Sequence, residues 1–376
     1  MNLESLNTPA ALIDVARMNH NIERMQQRMT AFGVSFRPHA KTTKCAQVVK
    51  AQIDAGARGI TVSTLKEAEQ FFAYGIHDIV YAVGMVPTKL SQALALRRKG
   101  CALKIVADSV AGAQAIAAFG REHKEPFEVW IEIDVDGHRS GIAPEDEALL
   151  MVARTLTAGG MNLGGVLAHA GSSYDYDTHD ELVRVAERER SGCVRAAERL
   201  RAAGLKCDVV SIGSTPTALA AEHLEGVTEV RAGVYVTFDL VMHNVGVSKK
   251  SEIALSVLTT VIGHQPKKGW AIVDAGWMAM SRDRGTQRQK HDFGYGLVCL
   301  ENGEIQDEYL LSSANQEHGI ISRSDMPDLE IEQRFPIGTR LRILPNHACA
   351  TGAQHSVYNA INPDGSVEPW PRFSGW

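Results

Sequence analysis

The sequence predicts a parallel (β/α)8 barrel followed by a β-rich C-terminal domain. In the first two-thirds of the chain, short β-branched runs alternate about eight times with longer stretches rich in Ala, Arg and Glu. Such alternation is typical of a parallel sheet covered by helices, and eight repeats close a barrel. After about residue 245 the helical stretches nearly disappear. We therefore expect a barrel domain over 1–245 and a β domain over 246–376, with the first ten or so residues as candidates for joining the β domain.

Eight apolar, β-branched runs are the strand candidates of the barrel. They lie at 11–15, 59–63, 78–84, 103–108, 127–134, 163–171, 208–214 and 229–238. The stretches between them have helical character, and the longest ends at Gly204, a residue type that favours a helix C-terminus. Beyond residue 245, short alternating runs are separated by Gly, Pro and an Asn-Gly pair, which indicates strands and tight turns.

Charge and composition exclude several classes of protein. The 39 basic and 44 acidic residues give a net charge of −5, so no basic surface for nucleic acid or an anionic membrane is expected. Apolar runs stay well below the ~18 residues of a membrane span, and the first residues lack the pattern of a secretion signal. The six cysteines have no paired spacing, which favours reduced thiols. We expect a cytoplasmic enzyme that acts on a small molecule.

Catalytic groups of such barrels lie where the strands end, and a lysine follows the first of these ends. Pro38 forces an extended approach, so Lys41 is expected to project toward the barrel mouth. A desolvated lysine there is a nucleophile for Schiff-base chemistry, whereas an isolated lysine is more often a surface residue. Lys44, three residues later, is the competing candidate.

Later strand ends carry further polar groups. Arg139, in the segment DVDGHRSG, suits an anionic ligand, although the same segment also fits an ordinary polar loop. His169 ends an apolar strand, where it serves either ring stacking and proton transfer or a structural hydrogen bond. Gly, Ser and Thr after the seventh and eighth strands match the phosphate-binding loops of barrels, or a simple turn. The candidates in this group are Tyr174, Ser214, Thr215, Arg231, Gly233 and Tyr235.

A candidate metal site lies in the β domain. His347 and Cys349 are two residues apart, so on an extended chain their side chains point the same way. An imidazole and a thiolate, with water and substrate in the remaining positions, form an open Zn²⁺ site of catalytic type. The alternative is a chance pair, since His-x-Cys is common.

Taken together, these segments resemble the fold-type III pyridoxal-phosphate enzymes, the alanine-racemase-like group. Within it the chain is similar to the branch of the D-threo-3-hydroxyaspartate and D-serine dehydratases and the D-threonine aldolases. The resemblance covers nearly the whole chain through the ordered motifs NTPAALID, RPHAKTTK, GITVSTLKEAE, HRSG, AHAGSSY, IGSTPT, RAGVY, QEHG and LPNHACAT.

The resemblance implies a cofactor and its ligands. Lys41 would carry pyridoxal 5'-phosphate as a Schiff base, and His169 would lie against the pyridine ring. Arg139 would reach the phenolic oxygen of the cofactor or the substrate carboxylate. Arg231 would face the pyridine nitrogen, as in the racemases, or point away from it. The phosphate would be held chiefly by Thr215, Gly233 and Tyr235, and a divalent metal, Zn²⁺ before Mg²⁺ or Mn²⁺, by His347 and Cys349.

The resemblance also implies the reaction. We expect a dehydratase that eliminates water from a D-3-hydroxy amino acid, with D-threo-3-hydroxyaspartate favoured and D-serine next, and that acts as a homodimer. Arg282 or Arg284 is expected to bind a second carboxylate unless this basic loop is simply solvated. Two alternatives remain: a retro-aldol lyase with the same lysine and metal, and a non-catalytic pyridoxal-phosphate-binding protein.

Overall fold

The computed structural model describes residues 2–376, which form two compact units. The barrel unit comprises 23–233 with the last two residues, and the β-rich unit comprises the residues up to Ile22 together with Val234–Ser374. The main crossing after the barrel strands thus lies between Gly233 and Val234, and an earlier one between Ile22 and Glu23, whereas the sequence predicted one boundary at residue 245. No change in burial marks this point, because Val234, Tyr235 and Val236 are buried like the strand before them.

The strands β1 to β17 are, in chain order, Ala10–Asp14, Ser35–Pro38, Ile60–Val62, Asp78–Gly84, Ala102–Ala107, Glu128–Ile133, Asn162–Ala168, Val209–Ile212, Glu229–Ala232, Leu255–Gln265, Trp270–Val273, Gly296–Leu300, Ile305–Ala314, Gly319–Arg323, Arg340–Pro345, Val357–Ile361 and Val367–Pro371. The helices α1 to α12 are Val15–Ala31, Ala46–Asp54, Leu65–Ala73, Pro87–Arg98, Val110–His123, Ala148–Ala158, His179–Ala202, Thr215–Ala220, Leu240–Val245, Trp277–Met280, Ile331–Arg334 and Ala348–Gly352. None of the helices over residues 2–376 is both long and apolar enough to cross a membrane.

The barrel unit contains the predicted parallel barrel. Its eight strands follow the order β2-β9-β8-β7-β6-β5-β4-β3, and a parallel bridge between His39 and Thr61 links the two edge strands, so the barrel is nearly closed. The strands are buried on both faces because helices cover the outside and side chains fill the interior. The fold class predicted from the sequence is therefore confirmed.

One strand prediction is wrong. The run 11–15 is not a barrel strand but forms β1 of the other sheet, where it pairs antiparallel with β10 and parallel with β16. The first barrel strand is instead β2, which the sequence hid because its four residues include Arg37 and Pro38. A buried arginine looks like a surface residue until its tertiary partners are known.

The β-rich unit is built on a single nine-stranded sheet. Its strand order is β11-β14-β13-β12-β15-β10-β1-β16-β17, and most neighbours are antiparallel. The helices α9 to α12 are all short, as the sequence predicted for this part of the chain. An apolar cluster packs against the sheet, and its members include Val257, Val273, Tyr309, Phe335, Leu341 and Ile343.

The barrel interior also contains a chain of charged and polar side chains. Arg37 donates to Glu229 and to Asp78, each at 2.7 Å, and Lys104 pairs with the same aspartate. Ser211 donates to the other oxygen of Glu229 at 2.7 Å. Arg37 and Glu229 are 3% and 6% exposed, so each charge is balanced by partners rather than by water.

We expect the Arg37→Met variant to be strongly destabilised. Removing the guanidinium leaves the buried Glu229 carboxylate without its cation, which costs about 3–5 kcal/mol of unfolding free energy. Urea unfolding followed by circular dichroism measures this change. The control is Lys50→Met, which breaks an exposed pair with Asp54 and should cost under about 1 kcal/mol. Equal stabilities of the two variants would contradict the expectation.

Candidate active site

The two candidate lysines differ in their partners. Lys41 lies in the short turn Ala40–Thr42 directly after β2, its side chain is exposed, and it makes no ion pair with any residue of 2–376. The amine of Lys44 lies 2.8 Å from the carboxylate of Glu67, which is 2% exposed. Lys44 is therefore committed to neutralising a buried charge, and Lys41 is the lysine with an available amine.

Two imidazoles lie among the cations at this end of the barrel. Burial, together with the charges of Lys41, Arg139 and Arg231, lowers the pKa of His169 to about 4 against the opposing effect of its hydrogen bond to Gly213. Burial and the same cations also hold the pKa of His39 well below its ordinary value. Both rings are therefore neutral near pH 7, and the cationic side chains that act on them are Lys41, Arg139 and Arg231. Such a site suits an anionic ligand.

The tautomer of His169 follows from its hydrogen bond. Its Nδ1 is 3.0 Å from the carbonyl oxygen of Gly213, which can only accept, so Nδ1 carries the proton and Nε2 has a free electron pair. The ring of Tyr174 is tilted against it at a centroid distance of 6.4 Å. Arg139 lies in the loop after β6, is 57% exposed, and has Glu132 as a distant partner at 3.8 Å.

Arg231 is fixed within the barrel by its two terminal nitrogens. One donates to the carbonyl oxygen of Ala168 and the other to the hydroxyl of Ser211, both at 2.7 Å. The side chain is buried, and Ser211 in turn donates to Glu229. The guanidinium thus joins the end of β7, immediately before His169, to β8.

The predicted phosphate-binding residues have different local roles. Ser214 caps α8, its hydroxyl accepts from the backbone N–H of Thr217, and Thr215 begins the helix as a fully buried residue. At Gly233 a Cβ atom would lie 3.0 Å from the Thr42 hydroxyl and 3.3 Å from His39, so glycine permits close approach to the turn that carries Lys41. Tyr235 is 1% exposed and belongs to the β-rich unit.

In the β-rich unit, His347 and Cys349 are brought together. His347 Nδ1 is 2.6 Å from Asp283 Oδ2, and the imidazole is also hydrogen-bonded to the Cys349 thiol. Burial lowers the pKa of His347, but these two bonds outweigh it and raise the pKa to about 11. Without a metal, the pair therefore holds a proton. It also provides nitrogen and sulfur atoms, the donors that zinc prefers, and a metal would bind them in place of protons. Over residues 2–376 there is no cluster of three His, Cys, Asp or Glu side chains that could hold a metal, so this pair fits only an open site.

The two candidate arginines for the second carboxylate, Arg282 and Arg284, differ in their partners. Arg284 donates to Asp292 at 2.7 Å and is therefore neutralised within the loop. The Arg282 guanidinium is exposed and stacks over the ring of Trp277 at 4.8 Å.

Comparison with known proteins identifies the family. The family model described as "Alanine racemase, N-terminal domain" matches residues 13–241, and "Putative serine dehydratase domain" matches 254–361. The chain belongs to the alanine racemase family. Membership implies pyridoxal phosphate as the cofactor, and the cationic barrel end with its available lysine fits that group.

Relatives within this family cover the whole chain. D-threo-3-hydroxyaspartate dehydratase of Delftia sp. (strain HT23) is 67% identical over 100% of this chain and 99% of its own. D-serine dehydratase of Dictyostelium discoideum is 29% identical over 97% and 96%, and D-threonine aldolase of Arthrobacter sp. 28% over 97% and 92%. The solved structure of the Delftia enzyme covers 100% of both chains at 66% identity with a TM-score of 0.99.

Four residues that contact the candidate site residues or their chain neighbours were not predicted from the sequence. His39 stood inside the quoted motif RPHAKTTK, and its position beside Lys41 was a usable signal. Glu189, in the middle of α7, accepts from the backbone N–H groups of Ala170 and Gly213 at 2.8 and 3.1 Å and so joins the ends of β7 and β8. Its position in a highly charged helix gave no hint of burial. Asp239 and Asp283, beside His347, likewise carried no local signal.

Proposed function

We propose that this protein is a pyridoxal-phosphate-dependent dehydratase that eliminates water from a D-3-hydroxy amino acid. The favoured substrate is D-threo-3-hydroxyaspartate, and D-serine is next. The observation that carries the proposal is the 67% identity to D-threo-3-hydroxyaspartate dehydratase over the full chain. Loss of the α-proton and the β-hydroxyl as water leaves an enamine, which hydrolyses to a 2-oxo acid and ammonia. The aldolase relative is much more distant, and the dehydratase match at 254–361 argues against a barrel that only carries the cofactor.

The barrel unit would hold the cofactor. Pyridoxal phosphate, when bound, supplies the electron sink that acidifies the α-carbon of an attached amino acid. Lys41 would bind it covalently, and its Nζ, once released, would take the α-proton, because a base held at that carbon reacts without a diffusional step. The exposure of Lys41 and its lack of an ion pair with any residue of 2–376 support this role.

The other barrel residues would orient the cofactor and neutralise its negative charges. Neutral His169 would lie against the pyridine ring without adding charge, and its pKa of about 4 supports this. Arg139 would pair with the phenolic oxygen or with the substrate carboxylate, since it is exposed and has only a distant carboxylate partner. Arg231 would present a fixed positive charge at the ring nitrogen. The phosphate would be bound by the group Tyr174, Ser214, Thr215, Gly233 and Tyr235.

The β-rich unit would hold a metal through His347 and Cys349. The metal, when bound, supplies a Lewis acid that stabilises the departing hydroxyl oxygen. A thiolate with an imidazole favours Zn²⁺ over Mg²⁺ or Mn²⁺, which prefer oxygen ligands.

We further propose a homodimer in the cytoplasm, a location supported by six cysteines that form no disulfide.

Product analysis tests the reaction. We expect the Zn²⁺- and pyridoxal-phosphate-loaded protein to release ammonia with oxaloacetate from D-threo-3-hydroxyaspartate, and ammonia with pyruvate from D-serine at a lower rate. Chelation should abolish both reactions and added Zn²⁺ should restore them, because hydroxide is a poor leaving group without a Lewis acid. Glycine with glyoxylate from hydroxyaspartate would instead establish retro-aldol cleavage.

Borohydride trapping tests the lysine. Reduction of the loaded protein followed by peptide mapping should place the cofactor on Lys41 and not on Lys44, whose amine is paired with Glu67. We expect Lys41→Ala to trap no cofactor and to lose about 10²–10⁴-fold in kcat through the missing base, whereas Lys50→Ala, on the surface of α2, should behave as the wild type. Cofactor found on Lys44 would overturn the assignment.

Substrate choice is proposed to depend on Arg282, since Arg284 is already paired with Asp292. We expect Arg282→Met to lower kcat/KM for hydroxyaspartate by about 10–100-fold, the effect of one lost charged hydrogen bond. The value for D-serine, which lacks the second carboxylate, should change less than about threefold. The exposed Arg288→Met is the matched control. An equal loss for both substrates would show that Arg282 does not bind the second carboxylate.

A further inference from the structure

Two carboxylates flank the His347–Cys349 pair. Asp283 contacts the imidazole itself, with Oδ2 2.6 Å from Nδ1. Asp239 contacts the backbone between the two side chains, where its Oδ2 accepts from the N–H of Ala348 at 2.9 Å. Asp283 therefore restricts the orientation of the imidazole, and Asp239 fixes the backbone that links His347 to Cys349.

The carboxyl group of Asp239 is fixed in position by a second hydrogen bond. Its other oxygen accepts from the backbone N–H of Met242 at 2.9 Å as the N-cap of α9, and the side chain is 1% exposed. Because both oxygens are used and water is excluded, the segment from His347 to Cys349 is tied to the start of this helix.

Asp283 is arranged to act as an acceptor. Its Oδ2 lies 2.6 Å from Nδ1 of His347, so the ring N–H donates to the carboxylate. A carboxylate that accepts from Nδ1 keeps a proton on that atom, so Nε2 is the ring nitrogen that would bind a metal, which takes the place of the second proton.

We propose that Asp283 is a positioning residue for the metal centre, which orients His347 through Nδ1 so that Nε2 binds the metal. This inference rests on the metal site proposed above and extends it beyond the two ligands. Asp283 acts through the imidazole and is not itself a ligand, because over residues 2–376 no three acidic, His or Cys side chains are arranged to share a metal. Hydrogen-bonded carboxylates of this kind raise the basicity of the ligand and restrict ring rotation.

The test measures Zn²⁺ affinity rather than activity. In the pyridoxal-phosphate-loaded protein, Asp283→Asn should bind Zn²⁺ about 10–100-fold more weakly in competition with a chromophoric chelator, since the amide is a poorer acceptor and removes the anion. The control Asp307→Asn removes an exposed carboxylate that pairs with Lys250, with the same change of charge, and should stay within about twofold. Circular dichroism and cofactor absorbance verify that both variants fold.

Cobalt spectra separate positioning from direct ligation. With Co²⁺ in place of Zn²⁺, Asp283→Asn should keep the thiolate-to-metal charge-transfer band and the ligand-field intensity of the wild type at saturating metal. A changed coordination number would make Asp283 a ligand and overturn the inference, as would a Zn²⁺ affinity equal to that of the wild type.

Two further variants separate this inference from the metal site on which it rests. His347→Ala and Cys349→Ala should each lose Zn²⁺ binding. If both retain wild-type affinity, the proposed site and the inference fall together. If both lose binding while Asp283→Asn does not, the inference alone is wrong.

Discussion

The barrel depends on the neutralisation of charges buried inside it. Arg37 and Arg231 lie in the interior with little water, and Glu229 joins them, directly to the first and through Ser211 to the second. An unpaired charge at any of these positions would cost several kcal/mol, so the set is stable only as a whole. Because Arg231 also donates to Ala168, this network fixes the strand end from which His169 projects. The folding requirement and the geometry of the site are thus met by the same residues.

The electrostatics of the site follow from which charges remain unbalanced. Lys44 is neutralised by Glu67, and His39 and His169 are kept neutral by burial. Lys41 has no ion pair within residues 2–376, and Arg139 has only a distant carboxylate partner. A cofactor with a phosphate and a phenolate would supply negative charge to Lys41 and Arg139. This explains why the part of the chain that the structure describes places no close carboxylate beside them.

In both units, carboxyl groups outside the recognisable motifs hold the side chains for which we propose roles. Glu189 accepts two backbone N–H groups at the ends of β7 and β8, where His169 and Ser214 follow. Asp239 and Asp283 do the same for His347 and Cys349, one through the backbone and one through the ring. Backbone donors and imidazole N–H groups buried without acceptors are costly, and one carboxyl group can accept from two of them.

The sequence by itself determined the fold class and seven of the eight barrel strands, because these depend on local periodicity: alternating strands and helices, and apolar runs that end in polar residues. It paired His347 with Cys349 on the expectation of an extended chain, which is wrong, because Cys349 lies in the short helix Ala348–Gly352 that follows His347. It could not place β1 in the other sheet, distinguish Lys41 from Lys44, or find Glu189 and Asp283. Those outcomes depend on partners far along the chain, such as Ser256 for β1, Glu67 for Lys44 and a loop 64 residues before His347. Tertiary structure decides them because burial and pairing, rather than residue type, set whether a charge is neutralised, exposed or available for chemistry.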